Sequence, residues 1–370
     1  KLSIAMTKSL ADISAAGTSI WLDDLSRERM VKNGKARSLT DLITNEYVVG
    51  VTTNPAIFSA SISGSDLYRD EISALSNSGA DVEAIITALT TSDVRKACDL
   101  FMPVYQGSNG VDGRVSIEVD PRFARDTSST LAQARELWRI VDRPNVLIKV
   151  PATVEGLPAI RTLISEGISV NVTIIFSVAR YQEVLESFIT GLEDRRTAGM
   201  SLDGIHSVAS FFISRVDTEV DPRLKASGND ELLGRAAIAN ARLAYQHFLS
   251  VKDSPRWKQL ERSGAYIQRP LWASTGVKDP NYSPTKYVTE LVAAQTVNTM
   301  PEATLSAVRD SLSGASDSIT PFFPDAQNTI EKLAALGIDM DEVAVKLENE
   351  GIDKFIKPWL QLIEIVNRAK

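Results

Sequence analysis

The stretch Asn145-Val146-Leu147-Ile148-Lys149-Val150-Pro151-Ala152-Thr153 decides how this chain is read. Its apolar run predicts a buried strand, and a lysine inside such a strand is costly. An ammonium there must find a partner or give up its proton. A neutral, buried lysine amine is the nucleophile that Schiff-base chemistry on carbonyl substrates requires. A single lysine could equally mark the polar end of the strand and reach water along its stem. The surrounding segments weigh against that alternative.

Comparable β-rich runs recur on both sides of it: Ser19–Asp24, Tyr47–Asn54, Arg114–Val119, Ser169–Phe176, Ser207–Arg215, Tyr266–Thr275 and, most weakly, Gln295–Thr299. Amphipathic stretches such as Ser129–Val141, Val178–Thr190 and Leu232–Ser250 lie between them. Strands alternating with helices argue for an α/β fold with a parallel sheet. Eight strands fit a (β/α)8 TIM barrel better than an open sheet. The segment Pro55–Gly113 is too long for one crossover and predicts extra helices after strand 2. After Met300 the chain reads as helical over Pro301–Leu312, Ala326–Leu336, Met340–Glu348 and Lys354–Arg368. Residues 1–370 are thus expected to form one domain, with about 301–370 a helical extension that either caps the barrel or serves as a dimerisation arm.

Parity along a strand assigns faces. Val115, Ile117 and Val119 share one face, and Ser116, Glu118 and Asp120 the other. Val170, Val172, Ile174 and Phe176 face one way, and Asn171 and Thr173 the other. With the apolar faces under the helix ring, Glu118, Asn171 and Thr173 point into the barrel, as Lys149 does from the strand between them. Asp23 and Asn54 end their own strands near the same rim. Taken singly, Asp23 could cap a loop, Asn54 could make a turn before Pro55, and Glu118 could pair with Arg122. Together they compose a proton-handling site where barrel enzymes carry theirs, at the C-terminal strand ends.

Composition limits the alternatives. The chain has 370 residues, 44% hydrophobic and 24% charged, which is enough for a large core. A net charge of -7 gives no electrostatic footprint for nucleic acid or an anionic membrane. Cys98 is the only cysteine, so no intrachain disulfide can form, which fits a reducing, cytoplasmic setting. With only His206 and His247, neither a His-rich metal site nor a histidine-centred triad is expected. The opening residues lack a long apolar run, and no stretch approaches the roughly eighteen residues of a membrane span. Cys98 and His206 read as packing residues.

Two long segments carry a resemblance. Gly50-Val51-Thr52-Thr53-Asn54-Pro55-Ala56-Ile57-Phe58 resembles the first signature of the transaldolase family, and Val146–Gly156 resembles the second, which holds the Schiff-base lysine. Ser116–Asp120, Gly167–Thr173 and Ser210–Arg215 match in order, from about Ser19 to Thr304, and the opening Trp21-Leu22-Asp23-Asp24-Leu25-Ser26-Arg27 resembles the longer bacterial subtype. The resemblance implies a (β/α)8 barrel, monomeric or homodimeric, that needs no metal or organic cofactor. It implies transfer of a dihydroxyacetone unit from sedoheptulose 7-phosphate or fructose 6-phosphate to glyceraldehyde 3-phosphate or erythrose 4-phosphate, in the non-oxidative pentose phosphate pathway.

The same resemblance implies roles. Lys149 forms the Schiff base, Asp23 takes the proton of the C4 hydroxyl, and Glu118 and Thr173 hold a proton-shuttling water. Asn54 and Asn171 bind hydroxyls of the donor, and Ser210 lines its pocket. Arg215 matches a phosphate-binding arginine, whose guanidinium suits that group. The usual Ala-Ser-x-Arg stretch reads Ala273-Ser274-Thr275-Gly276-Val277-Lys278 here, so Ser274 matches and Lys278 could supply the missing charge. Phe211-Phe212 departs from the common Ser-Pro-Phe order. The nearest rival is a fructose 6-phosphate aldolase, which releases free dihydroxyacetone. Those enzymes are shorter and tend to carry Gln at the position of Glu118 and Tyr at that of Phe212. A non-catalytic sugar-phosphate-binding barrel would be expected to lack Lys149, Asp23 or Glu118.

Overall fold

The structure is a computed structural model and describes residues 8–311 and 315–370. Eight strands close a barrel in sequence order: β1 (Thr18–Leu22), β2 (Val48–Val51), β3 (Arg114–Glu118), β4 (Val146–Pro151), β5 (Val170–Ile175), β6 (Ser207–Phe212), β7 (Arg269–Ala273) and β8 (Thr296–Met300). Every neighbouring pair is parallel, and β8 closes on β1. Each strand is short and apolar because both of its faces are covered. Ile148, Val150 and Val172 are fully buried, and the helix Gly156–Ser165 packs Ile160 and Leu163 into the same core. Each such side chain contributes roughly 1.5–3 kcal/mol by leaving water.

The long crossover between β2 and β3 holds the helices Pro55–Ser63, Arg69–Asn77, Val82–Leu100 and Met102–Gly107. Local capping fixes where helices begin. Asn54 Oδ1 accepts from the Ile57 amide at 2.9 Å, with Pro55 at the first helical position. Asp126 and Ser177 cap the helices Thr127–Val141 and Val178–Thr197 in the same way.

Several strand ends differ from the sequence reading. Asp23, Asn54 and Asp120 lie just beyond their strands, and Arg215 lies inside the helix Ser214–Ala226 rather than on β6. Asp120 leaves the inward face altogether: it caps a single turn and pairs with Arg122 at 2.7 Å. Parity also fails in β5. The register with β6 shifts between Val172 and Ile175, where Ile174 takes φ 57°. A bulge inserts a residue, so Ile174 does not simply continue the face of Val172.

The C-terminal residues differ most. The region read as two helices is one, Met340–Ala369, running through Gly351 and Pro358. Proline removes one backbone bond and glycine adds chain entropy, yet burial of Leu347, Ile352, Phe355 and Leu362 along one side holds the helix together. This helix packs across the crossover helices Pro55–Ser63 and Val82–Leu100 and reaches β5. It therefore caps the C-terminal mouth of the barrel. The helix expected over Pro301–Leu312 spans Glu302–Asp310, and Leu312 lies outside the described residues.

Candidate active site

Register sets the site. Glu118 on β3 is level with Lys149 on β4, and Lys149 is level with Asn171 on β5. Two residues further up, Pro151 is level with Thr173. The polar face predicted by parity thus forms one layer across three adjacent strands. Lys149 is 5% exposed and Glu118 8%, so both are enclosed side chains.

The lysine finds partners instead of snorkelling. Lys149 Nζ donates to the Thr53 carbonyl at 3.2 Å and lies 5.9 Å from the centroid of the Phe355 ring. Burial pushes the Glu118 carboxyl up to about 7, Asp23 pushes the same way, and Lys149 and Arg215 oppose the rise. Asp23 is also raised, mainly by burial, with Lys149 pulling it back and a 2.8 Å hydrogen bond from Thr52 Oγ1 doing the same. The Glu118 and Asp23 carboxyls and the Lys149 side chain therefore share one low-dielectric space.

Among the described residues, neither carboxylate oxygen of Glu118 has a hydrogen-bond partner, and neither does Thr173 Oγ1. Buried polar atoms are normally satisfied. Two such groups on the inward face of the barrel suit a site that holds water or substrate oxygen. The structural alternative for Glu118 is not realised, because Arg122 pairs with Asp120 and Glu83.

The two asparagines differ. Asn171 is locked: its Nδ2 donates to Ser116 Oγ at 3.0 Å and its Oδ1 accepts from Ser210 Oγ at 2.7 Å. Asn54 spends its Oδ1 on the helix cap, which leaves its amide nitrogen for a ligand. Asn54 and Glu118 line one small cavity that Trp359 closes from the C-terminal helix.

Arg215 and Lys278 form a separate cationic corner. Burial lowers both, and Arg215 also depresses Lys278. The Arg215 guanidinium lies between two rings, 5.0 Å from Phe212 and 5.7 Å from Phe355, and its Nη1 is a buried donor without a partner among the described residues. Ser274 belongs to the same corner but is engaged: its Oγ lies 2.6 Å from Ser214 Oγ, and its backbone has φ 56°.

Sequence reasoning missed what the C-terminal helix contributes. Lys354 adds a third positive charge beside Lys278. Phe355 roofs both Lys149 and Arg215, and Gly351 lies under the Arg215 guanidinium, where an added Cβ would sit 3.5 Å from Nη1. No local motif marks these residues; their only signal is a helical period of apolar positions. A cavity of about 700 Å³ lies elsewhere, between the helices Val178–Thr197, Ala236–Lys252 and Phe323–Ala335, and none of the candidate site residues lines it. Among the described residues no cluster of three or more His, Cys, Asp or Glu could hold a metal, and no helix is long and apolar enough to cross a membrane.

Comparison with known proteins agrees with this geometry. The family model described as transaldolase/fructose-6-phosphate aldolase matches residues 20–366. A protein of Mycolicibacterium smegmatis named transaldolase is 55% identical over 364 residues, covering 98% of this chain and 97% of that protein. Transaldolases of Mycobacterium tuberculosis and Acidothermus cellulolyticus are each 54% identical, covering 97% and 98% of this chain. The match spans the barrel, the lysine strand and the capping helix together, and the chain belongs to the transaldolase/fructose-6-phosphate aldolase family.

Proposed function

We propose that this chain is a transaldolase that moves a dihydroxyacetone unit between sugar phosphates through a Schiff base on Lys149. The observation that carries the reading is the layer of Glu118, Lys149 and Asn171 in register on three strands, with the Asp23 side chain held at the rim by Thr52.

The chemistry follows from the groups present. The Lys149 amine attacks the C2 carbonyl of a ketose phosphate, giving a carbinolamine. Loss of its hydroxyl as water needs a proton, and a carboxyl with a value near 7 is suited to supply and recover one. We assign that exchange to Glu118, relayed by a water held with Thr173. Asp23 then takes the C4 hydroxyl proton while the C3–C4 bond breaks, and the electron pair flows into the protonated imine. The aldehyde leaves, and the enamine carbon attacks the acceptor aldehyde. Asp23 returns its proton to the new hydroxyl, and water releases the product.

Asn54 and Asn171 are assigned to donor hydroxyls, with Ser210 fixing Asn171. Arg215, Lys278 and Lys354 are assigned to the phosphate, with Ser274 holding the local backbone. Donors and acceptors are the pentose phosphate pathway sugars, and the cytosol is the matching compartment. Glu118, Phe212 and the Phe355 roof over the lysine support transfer over release of free dihydroxyacetone, because a sheltered enamine survives until an acceptor arrives.

Borohydride reduction with fructose 6-phosphate present tests the covalent step. One dihydroxyacetone-derived adduct is expected on the peptide containing Lys149, and none in Lys149→Met. Persistent labelling of Lys149→Met, with the adduct mapped to another lysine, would overturn the assignment.

A further inference from the structure

The two cations Arg215 and Lys278 come from different elements. Arg215 lies in the first turn of the helix Ser214–Ala226, and Lys278 lies in the irregular segment between β7 and the helix Lys286–Thr289. A long segment without helix or strand of its own needs anchors if a side chain on it is to keep one place. Its start is anchored: Ser274 Oγ lies 2.6 Å from Ser214 Oγ, and Thr275 Oγ1 donates to the Thr299 carbonyl at 2.7 Å. Beyond Thr275, the next hydrogen bond to another element, among the described residues, comes from Tyr282.

That anchor belongs to a pattern. Asp217 and Asp221 stand one turn apart on the helix that carries Arg215, so their side chains share a face. Each carboxylate divides its two oxygens in the same way. Asp217 Oδ1 accepts from the Ala237 amide at 2.9 Å, and its Oδ2 from the Tyr287 hydroxyl at 2.6 Å. Asp221 Oδ1 accepts from the Gly234 amide at 2.9 Å, and its Oδ2 from the Tyr282 hydroxyl at 2.5 Å. Both aspartates are buried, where hydrogen bonds to a carboxylate are short and directional. Backbone keeps the slot for Tyr282: at Gly234, with φ 71°, an added Cβ would lie 2.8 Å from Cζ of that ring. The transfer chemistry uses none of these four side chains.

We propose that Asp221 and Tyr282, backed by Asp217 and Tyr287, are positioning residues that set Lys278 against Arg215 for the donor phosphate. The inference rests on the assignment of both cations to that phosphate. One helix then supplies one cation directly and fixes the other through two phenols. A lysine is a point charge on a flexible stem, so its worth to a phosphate depends on where its backbone is held. The Arg215 guanidinium is close enough to depress the Lys278 amine. Repulsion of that kind drives the segment away from the helix, and the paired aspartates oppose it.

Steady-state kinetics with fructose 6-phosphate as donor and saturating erythrose 4-phosphate test this in a double-mutant cycle. Tyr282→Phe removes one hydroxyl and is expected to raise donor KM about three- to tenfold, the worth of one hydrogen bond, with kcat within about twofold of the parent. Asp221→Ala cuts the same link from the helix side and is expected to raise KM at least as far. In a Lys278→Ala background, Tyr282→Phe is expected to add nothing, because its effect passes through the lysine. A purely structural role would lower the unfolding temperature and leave KM where it was. A raised KM in Lys278→Ala with parental KM in Tyr282→Phe, or effects of the two that add, would overturn the positioning role and leave the phosphate assignment standing. An unchanged KM in Lys278→Ala would overturn that assignment and this inference together. Should Asp221→Ala not fold, Tyr282→Phe and the cycle decide alone.

Discussion

Glu118 and Lys149 are level on neighbouring strands, and Lys149 holds back the rise that burial imposes on the Glu118 carboxyl, so a substitution at Lys149 is felt by Glu118. The fold raises Glu118 from its ordinary 4.5 to about 7, so the fold favours the neutral form. The stability this represents is fully present below about pH 4.5 and is lost as pH rises through 7. Glu118→Gln removes that dependence. At about pH 8 the variant is expected to be more stable than the parent by up to about 3 kcal/mol, with the gap closing on acidification. Urea unfolding at a series of pH values checks this; parallel stability curves would contradict it. Transfer activity of the same variant is expected to fall by about 10²–10⁴-fold, the usual worth of a positioned proton donor. At the cationic corner proposed to hold the donor phosphate, Lys278→Ala is expected to raise KM for phosphorylated donors more than it lowers kcat, because phosphate binding is largely uniform binding. An unchanged KM in steady-state assays would leave the phosphate to Arg215 and Lys354.

At the scale of elements, strand alternation was legible because short apolar runs and turn residues are local features. Parity alone turned Glu118, Lys149, Asn171 and Thr173 to one inward face, and the register sets the first three level, with Thr173 two residues further up. Parity could not foresee the bulge at Ile174, since no residue in Val170–Ile175 signals a left-handed backbone; a β-branched residue there stores roughly 1–3 kcal/mol of strain that the surrounding packing must hold. Asp120 was misplaced for a related reason, because its strand ends before it. The C-terminal helix was split at Gly351 and Pro358 because propensity is local, whereas its continuity comes from packing on the barrel. Gly351 offers a direct probe of that packing. Its added Cβ would meet Arg215 Nη1 and the Phe176 ring at ordinary contact distance, 3.5 Å. Gly351→Ala is therefore expected to be neutral or to stabilise by up to about 1 kcal/mol through helix propensity. Gly351→Leu is expected to displace the guanidinium and raise donor KM. Thermal unfolding and kinetics of the pair check this, and equal KM values for both would show that the helix does not position Arg215.

Across the whole molecule, the two ends of one barrel differ in kind. The C-terminal mouth gathers carboxyls, a lysine and a cationic corner under a helical roof, while at the N-terminal end Arg114 and Arg269 are engaged by the Gly110 and Val111 carbonyls and by Asp112. The family and the barrel follow from the sequence because the signature segments coincide with the strands that bear the site. The roof does not, because Phe355 reaches Lys149, and Lys354 reaches Lys278, only through the packing of the C-terminal helix on the barrel. A roofed enamine should wait for an acceptor, which is what separates transfer from simple cleavage. The most direct test of that claim is release of glyceraldehyde 3-phosphate from fructose 6-phosphate, followed with and without erythrose 4-phosphate. Release that depends on the acceptor, with no free dihydroxyacetone, is expected. Equal release without acceptor, accompanied by free dihydroxyacetone, would contradict the account.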